Sequence, residues 1–211
     1  MRVLLVDDHA IVRTGLKQIL QAESDKYEVG EASDRNSALE ALRQNKWDAV
    51  VLDINLPGRN GIEILKEVKR IWPELPVLIL SMHSEDEYAI RAMKSGAAGY
   101  LTKETAAESL VEALEKVVTG GKYITPAVAE KLVDIMHSDQ GELAHESLSD
   151  REFEVLRGLA EGNSVSQIAD NLHLSVKTIS TYRTRLIKKL GVSNNLEIIR
   201  YAMRHGIIQT K

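Results

Sequence analysis

Cysteine is absent from all 211 residues, which excludes disulfides, thiolate metal centres and cysteine nucleophiles. No apolar stretch approaches the roughly 20 residues that a membrane-spanning helix needs. A signal-peptide core is missing as well: Met1-Arg2-Val3-Leu4-Leu5-Val6 is too short for one and reads as a strand. Internal repeats and low-complexity tracts are also lacking. The turn after the first strand has no Gly-, Ser- or Thr-rich phosphate cradle and is acidic instead. What remains is the expectation of a soluble intracellular protein without a membrane partner.

Charge is unevenly spread. Residues 148–211 carry ten Lys and Arg against six Asp and Glu, whereas residues 1–147 carry seventeen against twenty-five. An acidic first part joined to a basic last part points to two domains with different partners, one of them nucleic acid.

The first 120 residues alternate strand and helix. Short β-branched runs begin near Val3, Tyr27, Ala49, Val77 and Gly99. Amphipathic stretches lie between them: Ile11 to Gln21, Arg35 to Gln44, Ile62 to Ile71, Asp86 to Lys94 and Ala107 to Val118. Five such units predict an α/β fold, a parallel sheet covered on both faces with its ligand site at the carboxyl ends of the strands. Thr125-Pro126 opens a further helix through Met136, because proline suits a first helical turn. His137 to Glu146 is polar and reads as linker. The expected division is a first domain over 1–121, a linker with a helix over 122–147, and a second domain over 148–211.

That last domain is helical throughout. Ser149 with Glu152 forms a capping-box signature, and Gly162-Asn163 ends the helix it opens. Val165 to Leu172 is a short second helix. Ser175 caps a third that runs to Leu190 and stops at Gly191, and Asn194 with Glu197 opens a fourth to His205. The second and third members have the spacing of a helix-turn-helix.

Polar residues cluster where the predicted strands end. Asp7-Asp8 follow Val3–Val6, Asp53 follows Val50-Val51-Leu52, Ser81 follows Val77–Leu80, and Lys103 follows Tyr100-Leu101-Thr102. An aspartate can attack phosphorus to give an acyl phosphate. The incoming negative charge needs an offset, which Mg²⁺ supplies through hard oxygen ligands. Asp7 or Asp8, Asp53 and a backbone carbonyl near Asn55 could complete its shell. Lys103 would hold one phosphoryl oxygen as a point charge, and Ser81 would donate to another. His9 reads as a loop residue and not as a ligand.

Taken together, these residues resemble the receiver domain of bacterial two-component response regulators. Asp7-Asp8 match that family's acidic pair, Asp53 its phospho-acceptor and Asn55 its metal-ligand carbonyl. Ser81 matches its switch hydroxyl, Tyr100 its switch aromatic and Lys103 its lysine. Leu56-Pro57-Gly58-x-x-Gly61 and Gly96-Ala97-x-Gly99-Tyr100 match as well. Each piece alone has an ordinary reading as a solvated loop, a strand-end hydroxyl or a packing aromatic; five in order do not. The resemblance implies a flavodoxin-like (βα)5 receiver phosphorylated on Asp53 by a histidine kinase, in a bacterial cytoplasm. Its enzymatic character would be limited to phosphorylating itself and losing the group by hydrolysis. Glu104 stands where the family places proline, and Met82 where it places a smaller residue; His83 and Asn55 flank the site.

Projecting Ser175–Leu190 at about 100° per residue separates two faces. Val176, Ile179, Leu186 and Leu190 point toward the bundle, while Lys177, Thr181, Thr184, Arg185 and Lys188 point away. The span holds five cations and no acid, which favours an anionic partner. The whole of 148–211 resembles the C-terminal domain of the NarL/FixJ (LuxR-type) regulators, through Leu148-Ser149-Asp150-Arg151-Glu152, Gly162-Asn163, Leu174–Ile179 and Lys189-Leu190-Gly191-Val192. That resemblance assigns base reading to Ser180, Thr181 and Thr184. Phosphate contacts would come from Lys177, Thr178, Tyr182, Arg183, Arg185, Lys188 and Lys189.

The expected partners are a histidine kinase, double-stranded DNA at promoter half-sites, a second copy of the chain when phosphorylated, and RNA polymerase. Phosphorylation would draw Ser81 toward the new group and let Tyr100 turn inward, ending in dimerisation, release of the DNA-binding domain, or both. Two rival readings are a constitutive DNA-binding protein whose receiver only dimerises, and an enzyme on a flavodoxin-like fold. The Asp-Asp-His run lacks the second aspartate, two residues on, of haloacid-dehalogenase-type phosphatases.

Overall fold

The computed structural model describes residues 1–56, 59–82, 87–137 and 144–208. Pro57-Gly58, His83 and the middle of the polar stretch after His137, all singled out above, lie outside the described residues. Contacts divide the chain into two compact units, Met1–Met136 and His137–Lys211.

The first unit is an alternating α/β fold. Strands β1 (Arg2–Val6), β2 (Glu28–Ala32) and β3 (Ala49–Asp53) enclose helices α1 (Ala10–Glu23) and α2 (Arg35–Gln44). A two-residue hairpin, β4 (Asn55–Leu56) with β5 (Arg59–Asn60), leads into α3 (Gly61–Ile71). Then come β6 (Val77–Ser81), α4 (Glu87–Lys94), β7 (Gly99–Thr102), α5 (Ala106–Val118) and α6 (Pro126–His137). The five long strands pair in parallel, in the order β2-β1-β3-β6-β7. Strand order reverses between β1 and β3, so the loops after those strands part there and open a crevice.

Both faces of the sheet are covered, which explains why its central strands read as continuous apolar runs. Val3, Leu5, Val51, Leu78 and Leu80 pack with Leu16 and Leu20 of α1 and Leu110 and Leu114 of α5. Leu4, Leu52 and Ile79, which alternate with them, are buried on the opposite face. The sequence reading did not anticipate the hairpin, because two-residue strands show no periodicity. It also missed a single parallel bridge from Gly99 to Tyr123 at the outer edge of β7. Tyr123 donates to the Ala98 carbonyl and accepts from Tyr100 N–H, both at 3.0 Å, so the segment before α6 is tied to the sheet.

Among its described residues the second unit holds four helices behind a 3-10 turn at Ala144–Ser147: α7 (Asp150–Ala160), α8 (Val165–Asn171), α9 (Val176–Leu190) and α10 (Asn195–Arg204). Ser149 and Ser164 each accept from the N3 backbone and are answered by Glu152 and Gln167, two complete capping boxes. Ser175 accepts from Thr178 N–H at 3.0 Å. At α10, Asn194 caps Glu197 N–H, but Glu197 reaches back to Ser193, one residue before the cap. Gly191 closes α9 with φ +66°, a left-handed conformation that a Cβ would strain. Among the described residues, no helix is long and apolar enough to cross a membrane.

Candidate functional site

Asp53 ends a strand in which every residue is buried, and it is itself 0 % exposed. Asp7 follows the neighbouring strand β1 and is 1 % exposed. Lys103, just past β7, reaches between them: its Nζ lies 2.6 Å from Asp7 Oδ2 and 2.8 Å from Asp53 Oδ2. Asn55 N–H donates to Asp53 Oδ1 at 3.1 Å, which brings the Asn55 main chain to the rim of the same pocket. Ser81 is buried at the end of β6, level with Thr102 of β7, and its carbonyl accepts from Lys103 N–H at 2.7 Å. The strand ends thus bring Asp7, Asp8, Asp53 and Lys103 together, with Asn55 and Ser81 at their edges.

Gly61 holds this arrangement from below. A Cβ there would meet the Asp53 carbonyl oxygen at 2.4 Å and Ile54 Cα at 2.6 Å, so α3 can start against the loop after Asp53 only with glycine. Asn60, 1 % exposed, caps α3 by accepting from Ile62 N–H at 2.7 Å. After Lys103 the chain turns with no cis peptide among the described residues. Thr102 Oγ1 lies 3.0 Å from Thr105 Oγ1 and accepts from Thr105 N–H, closing the turn that contains Glu104.

Electrostatics follow from this burial. Desolvation raises the Asp53 carboxyl above its ordinary range; Lys103 pulls it down, and the charge of Asp7 pushes it further up. For Lys103, burial acts to lower the pKa, but bonds to Asp53 and Asp7 outweigh it and leave the ammonium raised. One ammonium faces three carboxylates, so the cluster is short of positive charge. Asp8 Oδ1 is buried without a hydrogen-bond partner, although His9 Nδ1 lies 2.9 Å away. Ligating atoms of Asp7, Asp8, His9 and Asp53 all lie within 4.8 Å of one another. The three carboxylates of this set, with one Asp8 oxygen lacking a hydrogen bond, fit a hard divalent cation. His9, expected as a loop residue and not a ligand, sits at the N-cap of α1 with its ring 3.1 Å from Asp7 Oδ1.

Tyr100 is buried, at 2 % exposure. One expectation needs correction. Val176, placed toward the bundle by its helical angle, is 50 % exposed. It occupies the first position of α9, ahead of the buried stretch that begins at Ile179.

The remaining predicted residues lie along α9. Lys177, Ser180, Thr181, Thr184, Arg185 and Lys188 are exposed, and Thr178, Tyr182 and Arg183 are half-buried. A hollow of about 330 Å³ is lined by Ser175, Lys177, Thr178, Thr181, Tyr182 and Arg185. The three expected base-facing hydroxyls all donate to their own helix: Ser180 to Val176 O at 2.9 Å, Thr181 to Lys177 O at 3.0 Å and Thr184 to Ser180 O at 3.0 Å. Two of the α9 cations, Arg183 and Lys189, have partners within the domain. Arg183 donates through Nε and Nη2 to Asn195 Oδ1 at 3.1 and 2.8 Å. Lys189 Nζ lies 2.6 Å from the buried Glu152 carboxylate and 3.0 Å from the Ser147 carbonyl, pinning α9 to α7. Burial acts to raise Glu152, but Lys189 and the Ser149 backbone outweigh it and hold the carboxyl below its ordinary range.

Comparison with known proteins covers both units. A family model described as the response regulator receiver domain matches residues 3–115, and one described as bacterial regulatory proteins, luxR family, matches residues 146–202. Response regulator GacA of Pseudomonas aeruginosa is 35% identical over 209 residues, covering 99% of this chain and 98% of that one. Response regulator UvrY of Escherichia coli K12 is 34% identical over 208 residues, covering 98% and 95%. Among solved structures, RcsB of Salmonella enterica serovar Typhimurium, bound to promoter rprA with the phosphomimetic BeF3−, superposes with a TM-score of 0.63. It shares 30% identity, with 95% of this chain and 98% of that chain covered.

Proposed function

This chain belongs to the two-component response regulators that join a receiver to a LuxR-type DNA-binding domain, and we propose that Asp53 is its phospho-acceptor. The observation that carries the proposal is Lys103 Nζ held between Asp7 and Asp53, beside an Asp8 oxygen without a hydrogen bond. Asp7, Asp8, Asp53 and the Asn55 carbonyl would hold Mg²⁺, which when bound offsets the charge of the phosphoryl oxygens. A carboxylate oxygen of Asp53 forms the new O–P bond as the P–N bond of a kinase phosphohistidine breaks, and the imidazole leaves with the electron pair. Lys103 then trades its contact with Asp53 for one with a phosphoryl oxygen, and Ser81 donates to another. Attack of water on phosphorus returns the free carboxylate, so the catalytic part is confined to gaining and losing this group.

The output is DNA binding by α9. The free cations Lys177, Arg185 and Lys188, with Thr178 and Tyr182, would hold phosphates, while Ser180, Thr181 and Thr184 face the bases. Arg183 and Lys189 would have to leave Asn195 and Glu152 to join them. Promoter half-sites would be read by a phosphorylated dimer in the bacterial cytoplasm, with RNA polymerase as a further partner. The working domains are 1–121 and 148–211, joined by 122–147. The test measures mass in solution and DNA affinity with and without beryllofluoride and magnesium. A larger species and tighter binding are expected; no change in either would defeat the proposal.

A further inference from the structure

We infer that Ser180, Thr181 and Thr184 read DNA only as hydrogen-bond acceptors and methyl contacts, and that this makes the chain select A·T pairs beneath α9. The inference rests on the base-facing reading of α9 and adds the chemistry it would recognise. A hydroxyl has one proton and two acceptor lone pairs. In all three residues the oxygen lies 2.9 to 3.0 Å from the carbonyl four residues back, so the proton is committed to the helix. The outward side of each exposed hydroxyl is therefore lone pair, joined at Thr181 and Thr184 by a methyl group.

The major groove offers few complements to such a surface. Adenine and cytosine present amino donors, thymine presents a methyl, and guanine presents only acceptors. An A·T pair satisfies the oxygen through adenine N6 and the methyl through thymine C5, whereas a G·C pair supplies the cytosine amino group alone. Lys177 and Arg185, which share the hollow with Thr181, are donors only, so guanine acceptors and phosphates fall to them. The row thus divides by hydrogen-bond polarity: a basic edge that donates and a hydroxyl edge that accepts.

The test uses the full chain with magnesium and beryllofluoride, and a duplex it has itself selected from a random pool. Single bases are then exchanged for analogues. Replacing adenine by purine, or thymine by uracil, at a pair covered by Thr181 or Thr184 should weaken binding roughly 3- to 10-fold. Removing N7 alone, with 7-deazaadenine at the same pair, should leave affinity within about twofold. Thr181→Val keeps the methyl and should erase only the amino effect; Thr181→Ser keeps the oxygen and should erase only the methyl effect. Loss of affinity on N7 removal in the native chain, absent in Thr181→Val, would show a donating hydroxyl and overturn the inference. If the chain binds its duplex but Thr181→Val, Thr184→Val and Ser180→Ala together leave its sequence preference unchanged, the base-facing reading itself has failed.

Discussion

Lys103 and Lys188 carry the same ammonium group, yet Lys103 has an 11 % exposed side chain wedged between two buried carboxylates, and Lys188 stands exposed on a helix without an acid. In the receiver, charge is concentrated, desolvated and coupled, so each group sets the protonation and position of the next. On α9 it is dispersed in water, where single charges act almost independently and salt screens them. One region is built to hold a single covalent event and the other to sum many weak contacts. The difference predicts unlike responses to the same kind of substitution.

The largest effect is expected at Lys103. Lys103→Met leaves Asp7 and Asp53 buried without their cation and should destabilise the chain by about 3–5 kcal/mol, read by denaturant unfolding, with part regained in magnesium. A pH series sharpens the comparison. Lys103 has a raised folded pKa, so its stabilisation is complete below its unfolded value of about 10.4 and is lost as pH rises through the folded one. Asp53 is raised as well, and for a carboxyl this means its ionised form is disfavoured in the fold. Its penalty is absent below the unfolded value of about 3.9 and grows until pH passes the folded value. Asp53→Asn should therefore flatten that acid-side fall. A Lys103→Met chain of native stability would break the contrast between the two regions.

Gly61→Ala tests the support beneath Asp53. Its Cβ would collide with the Asp53 backbone, so a loss of about 1–3 kcal/mol and slower phosphorylation are expected together. Native stability with native phosphorylation kinetics would show that the loop can yield.

Two neighbouring lysines divide the basic helix. Lys189→Met removes the partner of a buried Glu152 and should cost about 1–2 kcal/mol, discounted because Lys189 itself is partly exposed. Glu152 has a lowered folded pKa, so this stabilisation is present above its unfolded value of about 4.3 and lost as pH falls through the folded one. Lys188→Met should stay within about 0.5 kcal/mol in stability while reducing the salt slope of DNA binding by about 1. Equal effects from the two would erase the division. A gain in place of a loss is expected at His173, which turns from α8 to α9 with φ +51°. His173→Gly should raise stability by about 0.5–1 kcal/mol in thermal unfolding.

Much of the receiver was legible because strands buried on both faces read as apolar runs, and the first polar residue after each marks the crevice. Asp7, Asp53, Ser81 and Lys103 stand where that logic puts them. Helical angles told which way Lys177, Thr181 and Lys188 point, but an angle does not say what lies across from it. Glu152 and Asn195 come from other elements, so the engagement of Lys189 and Arg183 was hidden. Val176 failed for a related reason: periodicity continues to a helix end even where the neighbouring element does not. The closeness of the His9 ring to Asp7 and Asp8 was hidden because it depends on a loop conformation.

The most direct measurement is to locate the phosphoryl group. The full chain is incubated with magnesium and a small acyl-phosphate donor, and peptides are mapped by mass spectrometry beside Asp53→Ala. One acyl phosphate on Asp53, formed only with magnesium and missing from the variant, is the predicted result. A phosphoryl group elsewhere, or none on native protein, would contradict the account.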